Sequence, residues 1–263
     1  MTAPAGRPGT APAPAAATAV IAVEDLGKTF RPPARIVDVL RGRLHRPDFE
    51  ALATVTFQVA AGEIVCVMGP NGAGKSTLLR ILGGLLVPSR GRAMVAGLDA
   101  ALGGARFRRQ VGLVFGDERA FNWTVSRREN LLYFAALHGL DRSAARERTA
   151  LLLDRVGLGE AGDRLFREYS RGMRQRLSVA RGLLGDPRVL LLDEPTLGLD
   201  PRGARDLRRF MREDAIRGAG RTAIVCTNDP AEARALGDRV LFLDGGRLTG
   251  ESAPDRIEAE LGL

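Results

Sequence analysis

The sequence has few cysteines and no long apolar run, and both shortages exclude a class of protein. The two cysteines among its 263 residues, Cys66 and Cys226, fall inside predicted buried strands and have no CxxC spacing. They indicate core packing in a reducing compartment, and they exclude a disulfide framework or a cysteine-based zinc site. No run approaches the ~20 apolar residues that a membrane-spanning helix needs.

Lysine is almost absent, which changes the meaning of the net charge. Lys28 and Lys75 are the only lysines, so the formal net charge of +8 comes from arginines scattered among abundant alanine and glycine. This pattern is typical of a GC-rich genome rather than of a basic binding face. We therefore predict no specific nucleic-acid partner.

The first 19 residues are rich in proline and alanine. They lack the continuous apolar core of a signal peptide, so a disordered tail is predicted over residues 1–19. With neither a signal peptide nor a membrane span, the sequence predicts a cytoplasmic protein that reaches a membrane only through a partner.

Strand and helix patterns then alternate along the chain. "VIAVEDLGKTF" predicts a strand with a turn, and "ATVTFQVAAG" alternates as an edge strand does. "EIVCVMG" is a continuous run typical of a parallel strand buried on both faces. Later strands follow in "RVLLLDEP", "RTAIVCT" and "RVLFLDGGRLTG", with helices between them. The alternation predicts an α/β fold with a mainly parallel sheet.

Two segments interrupt this alternation. Residues 31–50 form a basic insert, interpreted either as a solvated loop or as a contact with lipid headgroups or a membrane partner. Residues from about 124 to 185 have helical periodicity, which predicts an inserted helical subdomain. The predicted organisation is one domain over residues 20–250, followed by a C-terminal helix over residues 251–263.

A phosphate-binding loop is the strongest motif. "GPNGAGKST" matches G-x-x-x-x-G-K-[ST] in full, with a predicted strand before it and a helix after it. Its glycines let backbone N–H groups curl around phosphate oxygens, and the helix N-terminus adds partial positive charge. Lys75 is predicted to reach the β- and γ-phosphates, and the Ser76 hydroxyl to bind Mg²⁺. The nucleotide-binding residues predicted here are Gly69, Pro70, Asn71, Gly72, Ala73, Gly74, Lys75, Ser76 and Thr77.

Two acidic residues follow a second buried strand. In "RVLLLDEP", Asp193 emerges at the strand tip, where it is predicted to hold Mg²⁺. Glu194 comes next and is predicted to polarise an attacking water. Acids at strand ends are often solvated caps, but the phosphate-binding loop favours the catalytic interpretation.

The chain resembles the ABC transporter ATPases over about residues 20 to 250. "REYSRGMRQRLSVARGLLGDPRVLLLDEPTLGLDP" is similar to the family's signature motif, Walker B motif and D-loop, in the expected order. "YSRGM" and "RENLLYFAALHGL" are most similar to ATPases of ABC-2-type exporters. The resemblance implies a P-loop NTPase core with an N-terminal antiparallel β part and an inserted helical subdomain. It also implies ATP hydrolysis coupled to transport.

The resemblance further implies partners. Two cassettes, identical or paired, would sandwich two ATP molecules head to tail, with Ser170 and Gly172 of one contacting ATP on the other. Asp200 would lie where the D-loop crosses that interface. Phe30 matches the aromatic residue that stacks on adenine, although a lone phenylalanine is more often a core residue. An integral membrane permease would bind near residues 116–125 and hold the protein at the inner face of the membrane.

Two groups expected from the family are missing. Gly116 occupies the position of a glutamine that contacts Mg²⁺ or water, and the neighbouring Asp117 is a candidate metal ligand in its place. Asn228, in "TND", occupies the position of a catalytic histidine. Its amide either donates a hydrogen bond to the γ-phosphate or only caps the helix that starts at Pro230. Arg171 either adds charge at the phosphate of the partner or faces solvent.

Three functions therefore compete. The first is the energy-coupling ATPase of an exporter, whose cargo the permease would select. The second is an ABC ATPase acting on DNA or ribosomes, which the lack of a coiled-coil insertion and of a second cassette disfavours. The third is a nucleotide-binding regulatory cassette whose hydrolysis is impaired by the Gly116 and Asn228 departures.

Overall fold

The computed structural model describes residues 19–31, 48–116, 120–159 and 164–261. The predicted tail lies almost wholly outside these ranges, as do most of the basic insert and Asp117. Ten strands are found in the described residues: β1 (Ala19–Phe30), β2 (Phe49–Ala60), β3 (Ile64–Met68), β4 (Arg90–Val95), β5 (Leu98–Asp99), β6 (Val111–Val114), β7 (Val189–Asp193), β8 (Thr222–Thr227), β9 (Arg239–Asp244) and β10 (Arg247–Ser252).

The strands form one sheet in the order β5-β4-β1-β2-β10-β9-β3-β8-β7-β6. Strands β6, β7, β8, β3 and β9 are parallel neighbours, whereas β5, β4, β1 and β2 pair antiparallel. This confirms the predicted P-loop NTPase fold with its N-terminal antiparallel part. The carboxyl ends of β3, β7 and β8 meet at one edge, where the predicted site residues follow them.

The prediction that β2 is an edge strand is wrong. β2 lies between β1 and β10, and it pairs with both. Its side chains do alternate between buried and exposed. Alternation reports that one face of a strand is covered, and it carries no information on whether the strand has one neighbour or two.

The helices of the described residues cover both faces of the sheet and form the predicted helical segment. They are α1 (Lys75–Leu82), α2 (Gly104–Arg108), α3 (Arg127–Leu137), α4 (Arg142–Arg155), α5 (Arg171–Leu183), α6 (Pro201–Arg209), which continues as a π-helix (Phe210–Arg217), α7 (Pro230–Leu236) and α8 (Ile257–Leu261). Single 3₁₀ turns occur at Phe166–Glu168 and Pro254–Arg256. None of the described helices is long and apolar enough to cross a bilayer.

Short polar residues set where the longer helices begin. The N-cap side chains accept backbone hydrogen bonds from the first turn, and each such cap contributes about 1 kcal/mol. Ser126 and Glu129 form a reciprocal capping box at α3. The other side-chain caps are Asp141 at α4, Ser170 at α5, Asp200 at α6 and Asp229 at α7.

Two hydrophobic clusters lie on opposite faces of the sheet. Alternate residues of β3 belong to different clusters, with Cys66 in one and Val67 in the other. Cys226 of β8 belongs to the second cluster, and both cysteines are free and fully buried. Burial raises the pKa of both thiols well above the usual range. They are therefore packing residues, as predicted.

The predicted C-terminal helix begins later than expected. Glu251 and Ser252 belong to β10, which pairs with β9 as far as the Ser252–Val240 pair. The α-helix begins only at Ile257. Gly245 and Gly246 turn the chain between β9 and β10, so "RVLFLDGGRLTG" forms a hairpin. Its second strand continues through residues 251 and 252, which the prediction had assigned to the C-terminal helix.

Candidate functional site

The phosphate-binding loop joins β3 to α1 and approaches its neighbours too closely for side chains. A Cβ on Gly69 would collide with the Leu243 carbonyl oxygen, and one on Gly74 with the Ala51 carbonyl oxygen. Gly74 also has φ 107°, a left-handed conformation that only glycine adopts without strain. The loop is therefore a backbone cradle, as a site for phosphate oxygens requires.

Lys75 lies inside this cradle. Its side chain is 6% exposed, and its ammonium Nζ donates hydrogen bonds to the carbonyl oxygens of Gly69 at 2.5 Å and Pro70 at 3.1 Å. A buried ammonium needs acceptors, and phosphate oxygens are stronger acceptors than carbonyls because they carry charge. The structure thus places this cation where the sequence predicts contact with phosphate.

Asp193 is the last residue of β7 and Glu194 follows it, so both carboxylates lie at the same edge of the sheet. Asp193 pairs with Cys226 of β8, and the backbone N–H of Glu194 donates to the Cys226 carbonyl oxygen at 2.8 Å. Glu194 has φ 47°, a conformation that costs a non-glycine residue about 1–3 kcal/mol and that is common at functional sites. Ser76, Gly116, Asp193 and Glu194 all line one cavity of about 410 Å³.

An orphaned amide lines the same cavity. Gln175, on α5, is 9% exposed, and its buried Nε2 has no hydrogen-bond partner. A buried donor without a partner costs about 1–3 kcal/mol, so its presence beside Ser76 and two carboxylates indicates a ligand or water as its partner. Gln175 is not among the site residues predicted from the sequence. The only available signal was its place within the segment that resembles the signature motif.

The donor set of this cavity fits Mg²⁺ bound with a nucleotide. A hydroxyl from Ser76 and a carboxylate from Asp193 are the oxygen ligands that Mg²⁺ prefers, and phosphate oxygens normally complete its shell. The unpartnered amide donor and the glycine cradle fit the phosphate oxygens of such a nucleotide, not the metal ion. Asp117, the other predicted ligand, lies outside the described residues.

The start of α5 carries the other predicted nucleotide contacts. Ser170 is exposed and caps the helix by accepting from the Met173 N–H at 3.3 Å. A Cβ on Gly172 would lie 2.8 Å from the Leu199 side chain, so the helix start packs on the D-loop of its own subunit. The Arg171 side chain covers Gly198 of that loop and lines the cavity of Ser76, Asp193 and Glu194. Arg171 is exposed, so both alternatives for its side chain stay open.

Asp200, predicted to lie at a subunit interface, caps α6 in the single chain. Its Oδ1 accepts from the N–H groups of Gly203 at 2.9 Å and Arg202 at 3.1 Å. These hydrogen bonds, chiefly that from Gly203, hold the pKa of Asp200 below its usual value. The carboxylate is thus ionised and anchored at the end of the D-loop.

Asn228 follows β8, is exposed, and lines a cavity together with Glu194. The alternative that Asn228 caps the next helix is wrong, since the N-cap of α7 is Asp229. The Asp229 carboxylate accepts from the Ala231 N–H at 2.9 Å. Pro230 occupies the first helical turn and fixes the cap at the residue directly before it. Asn228 is left to face the cavity.

Phe30 pairs with a second aromatic residue that the sequence analysis missed. Phe30 is 38% exposed at the end of β1, with the Lys28 ammonium 5.3 Å from its ring centroid. Its partner across the ladder is Phe49, the first residue of β2. Phe49 is 58% exposed and lines a cavity with Asn71 and Ser76. Phe49 was assigned to the basic insert, which concealed its place beside the phosphate-binding loop.

Comparisons with known proteins agree with this geometry. The ABC transporter family profile matches residues 52–197. Daunorubicin resistance ATP-binding protein DrrA3 of Streptomyces coeruleorubidus is 41% identical over 215 residues, which cover 82% of this chain and 67% of that protein. ABC transporter ATP-binding protein NatA of Bacillus subtilis is 31% identical over 238 residues, covering 90% of this chain and 91% of NatA.

A solved structure shows the same architecture. The ATP-binding cassette MJ0796, in a dimeric post-hydrolysis state bound to ADP and Pi, superposes with a TM-score of 0.77 at 25% identity. The match covers 89% of this chain and 98% of that one. The fold, the phosphate-binding loop, the acidic strand tip and the shared family profile lead to one conclusion: the chain belongs to the ABC transporter family, as an ATP-binding subunit that hydrolyses ATP.

Proposed function

We propose that this protein powers an ABC-2-type exporter by closing on ATP as a head-to-tail dimer beneath a separate integral membrane permease. The observation that carries the proposal is the cavity that Ser76 of the phosphate-binding loop lines together with Asp193 and Glu194. Relatives named for daunorubicin and doxorubicin resistance support the export assignment. The protein is then peripheral, held at the cytoplasmic face of the membrane by its permease.

ATP binding begins at the glycine cradle. The Lys75 ammonium exchanges its carbonyl partners for β- and γ-phosphate oxygens, and the backbone N–H groups of the loop hold the same phosphates. Mg²⁺, when bound, neutralises phosphate charge. Ser76 and Asp193 are the residues that would hold it. Phe30, or its exposed neighbour Phe49, stacks on the adenine.

The second subunit completes the site. Ser170 and the backbone at Gly172 lie at the N-terminus of a 13-residue helix, whose partial positive charge favours an anion. Presented to the γ-phosphate of the other subunit, this helix start makes ATP the link between the subunits. Hydrolysis removes that link, so the dimer opens and the permease resets.

The chemical step uses groups at two strand tips. Glu194, after β7, accepts a hydrogen bond from the attacking water and takes its proton. Asn228, after β8, donates a hydrogen bond to a γ-phosphate oxygen, but an amide carries neither a proton nor a positive charge. Turnover is therefore slower than a histidine at this position would give.

The permease contact is expected on an exposed apolar surface of the helical segment. Tyr133 and Leu137 lie one turn apart on α3 and are 62% and 66% exposed. Tyr133 also lines a groove with Phe121 and Val125. Such contiguous exposed apolar surface is uncommon on soluble monomers and is typical of interaction sites.

We expect a photoreactive amino acid at position 133 to form an adduct with an integral membrane protein in cells that carry the native operon. The matched control places the same amino acid at exposed Ala219, in the turn before β8 at the opposite end of the sheet. Immunoblots and mass spectrometry of the membrane fraction identify the adduct. Equal labelling from both positions, or none from position 133, contradicts this docking site.

A second candidate, a regulatory cassette with impaired hydrolysis, is favoured by the Gly116 and Asn228 departures, of which Asn228 can be tested directly. Asn228→His is expected to raise kcat about 10- to 100-fold, because a contact to a charged group is worth about 1.5–3 kcal/mol. Phosphate release at saturating ATP measures the change. Slow but measurable wild-type turnover supports the coupling ATPase. No wild-type turnover, with activity restored by histidine, supports the regulatory cassette instead.

A further inference from the structure

A buried carboxyl group lies behind the two catalytic strand tips. Glu232, on α7, is 2% exposed. Its Oε1 accepts two hydrogen bonds from Thr196, one from the hydroxyl at 2.6 Å and one from the backbone N–H at 3.1 Å. Thr196 follows Glu194 by two residues and is itself buried. The contact therefore joins α7 to the segment that leaves Glu194.

The same carboxyl group also reaches the other strand tip. Thr227, which is 1% exposed, lines the same cavity as Glu232, and its side chain lowers the pKa of the Glu232 carboxyl group. Thr227 ends β8 directly before Asn228, and its Oγ1 accepts from the Asp229 N–H at 3.0 Å. Glu232 is thus hydrogen-bonded to the segment after Glu194 and lies beside the strand end that carries Asn228.

The segment after Glu194 is a series of short turns, so a restraint on Thr196 acts on Glu194. The Leu197 N–H donates to the Glu194 carbonyl oxygen at 3.1 Å, and the Leu199 N–H donates to the Thr196 carbonyl oxygen at 3.2 Å. Glu194 holds a left-handed conformation, which persists only where neighbouring structure fixes it. Thr196 is the next firmly anchored residue along the chain.

From these contacts we infer that Glu232 is a positioning residue for ATP hydrolysis, which fixes Glu194 relative to Asn228 through Thr196 and Thr227. The inference rests on the proposed function of Glu194 and Asn228. Glu232 lines the cavity that holds both of them, together with Thr196 and Thr227. It does not touch the reacting atoms; it sets the separation of the two groups that do.

The electrostatics of Glu232 favour a specific hydrogen-bonding role over a charge–charge contact. Desolvation by burial, the largest effect, raises its pKa above the usual value, while hydrogen bonds from Thr196 and Thr227 oppose that rise. The charged groups that face it are Arg208 of α6, which lowers its pKa, and Asp229 at the start of α7, which raises it. Packing alone does not require a carboxyl group here, because an apolar side chain of similar size would fill the space without the free-energy cost of desolvating a carboxyl group.

The test compares Glu232→Gln with Glu232→Leu. Glutamine keeps an oxygen acceptor for Thr196, whereas leucine keeps only the volume. We expect Glu232→Leu to lower kcat at least about 10-fold with the ATP dissociation constant within about twofold of wild type, because binding depends on the phosphate-binding loop. Glu232→Gln should retain turnover within about threefold of wild type. Thr196→Val, which keeps the shape of threonine, should resemble Glu232→Leu and add little to it in the double variant.

Glu63→Leu is the matched control for loss of a partly buried carboxylate. Glu63 lies at the start of β3, at the opposite end of the sheet, where it accepts from Arg239 Nε at 2.8 Å. The control variant should keep wild-type kcat even if its melting temperature falls. Wild-type kcat in Glu232→Leu, or an equal loss in the glutamine variant, overturns the inference.

Hydrogen exchange provides a readout that does not depend on turnover. In Glu232→Leu, amides of residues 194–199 and 227–229 should lose protection together in the nucleotide-free protein, whereas Glu63→Leu leaves both segments unchanged. Unchanged protection in both segments overturns the inference. A failure of the proposed function is recognised differently, because the wild-type protein would then bind ATP without hydrolysing it. In that case the hydrogen-exchange comparison alone tests the role of Glu232.

Discussion

Replacing Glu194 with glutamine should reduce ATP hydrolysis by about 10²- to 10⁴-fold, the usual contribution of a positioned general base. The amide keeps the size of the carboxylate and one hydrogen-bond acceptor, but it does not take the proton of the attacking water. Glu194 lines the same cavity as Ser76 and Asp193, so the substitution changes a group that already lies beside the predicted nucleotide site. Phosphate release at saturating ATP measures the loss.

The ATP dissociation constant is the control for this variant. It should remain near the wild-type value, because the cradle of β3 and α1 holds the phosphates and Glu194 does not. The nucleotide-bound dimer should also last longer, since the reaction that separates the subunits has been slowed. Residual turnover above one tenth of wild type would show that another group removes the proton, and Glu194 would lose its assigned role.

Replacing Lys75 with methionine should weaken ATP binding about 100-fold. Its ammonium is buried in the cradle beside two carbonyl oxygens, so it meets the phosphates with little solvent screening. Hydrogen bonds to charged groups contribute about 1.5–3 kcal/mol each, and 1.4 kcal/mol corresponds to a tenfold change in affinity. Titration with a fluorescent ATP analogue measures the dissociation constant.

Arg80→Met supplies the matched control, because Arg80 is an exposed cation on the same helix. Its removal changes the net charge equally but takes no group from the cradle. Arg80→Met should therefore bind ATP within about threefold of wild type. Similar affinities for the Lys75 and Arg80 variants would mean that the glycine loop is not the phosphate site.

The parts predicted from the sequence are those that depend on local pattern. The continuous apolar run of β3 and the glycine spacing after it specify a buried parallel strand, a backbone cradle and a helix start, whatever the rest of the chain does. The two acidic residues at the end of β7 are also predicted from local pattern, because they directly follow a continuous apolar run. The helical periodicity from about residue 124 to 185 predicts helices there, and Ser170 caps one of them, α5, in the structure.

The parts that were missed or wrong depend on contacts between distant residues. β2 lies inside the sheet because β10 pairs with it, and β10 itself had been assigned partly to a helix. Asn228 does not cap α7, because Pro230 gives that place to Asp229. Phe49, Gln175 and Glu232 have no motif of their own. Their importance appears only when the fold brings them beside the phosphate-binding loop, the Mg²⁺ cavity and Thr196.

The two departures from the family pattern, Gly116 and Asn228, are interpreted together in physical terms. Gly116 gives no side chain to the cavity of Ser76, Asp193 and Glu194, whereas the unpartnered amide of Gln175 lines it. Asn228 keeps a donor at the second strand tip but no charge. Because Lys75, Ser76, Asp193 and Glu194 are retained, we expect these changes to affect the rate of hydrolysis more than the binding of ATP.

Pairing of the phosphate-binding loop with the start of α5 in another subunit is the central claim, and crosslinking tests it directly. One Glu194→Gln protein carries Asn71→Cys and a second carries Arg171→Cys; both positions are exposed, and the native Cys66 and Cys226 are fully buried. Because each chain holds one reactive thiol, a short bismaleimide joins positions 71 and 171 only between subunits. Head-to-tail pairing predicts a covalent dimer in the mixture with Mg·ATP and none without nucleotide. ATP bound to both proteins without any 71–171 crosslink would contradict it.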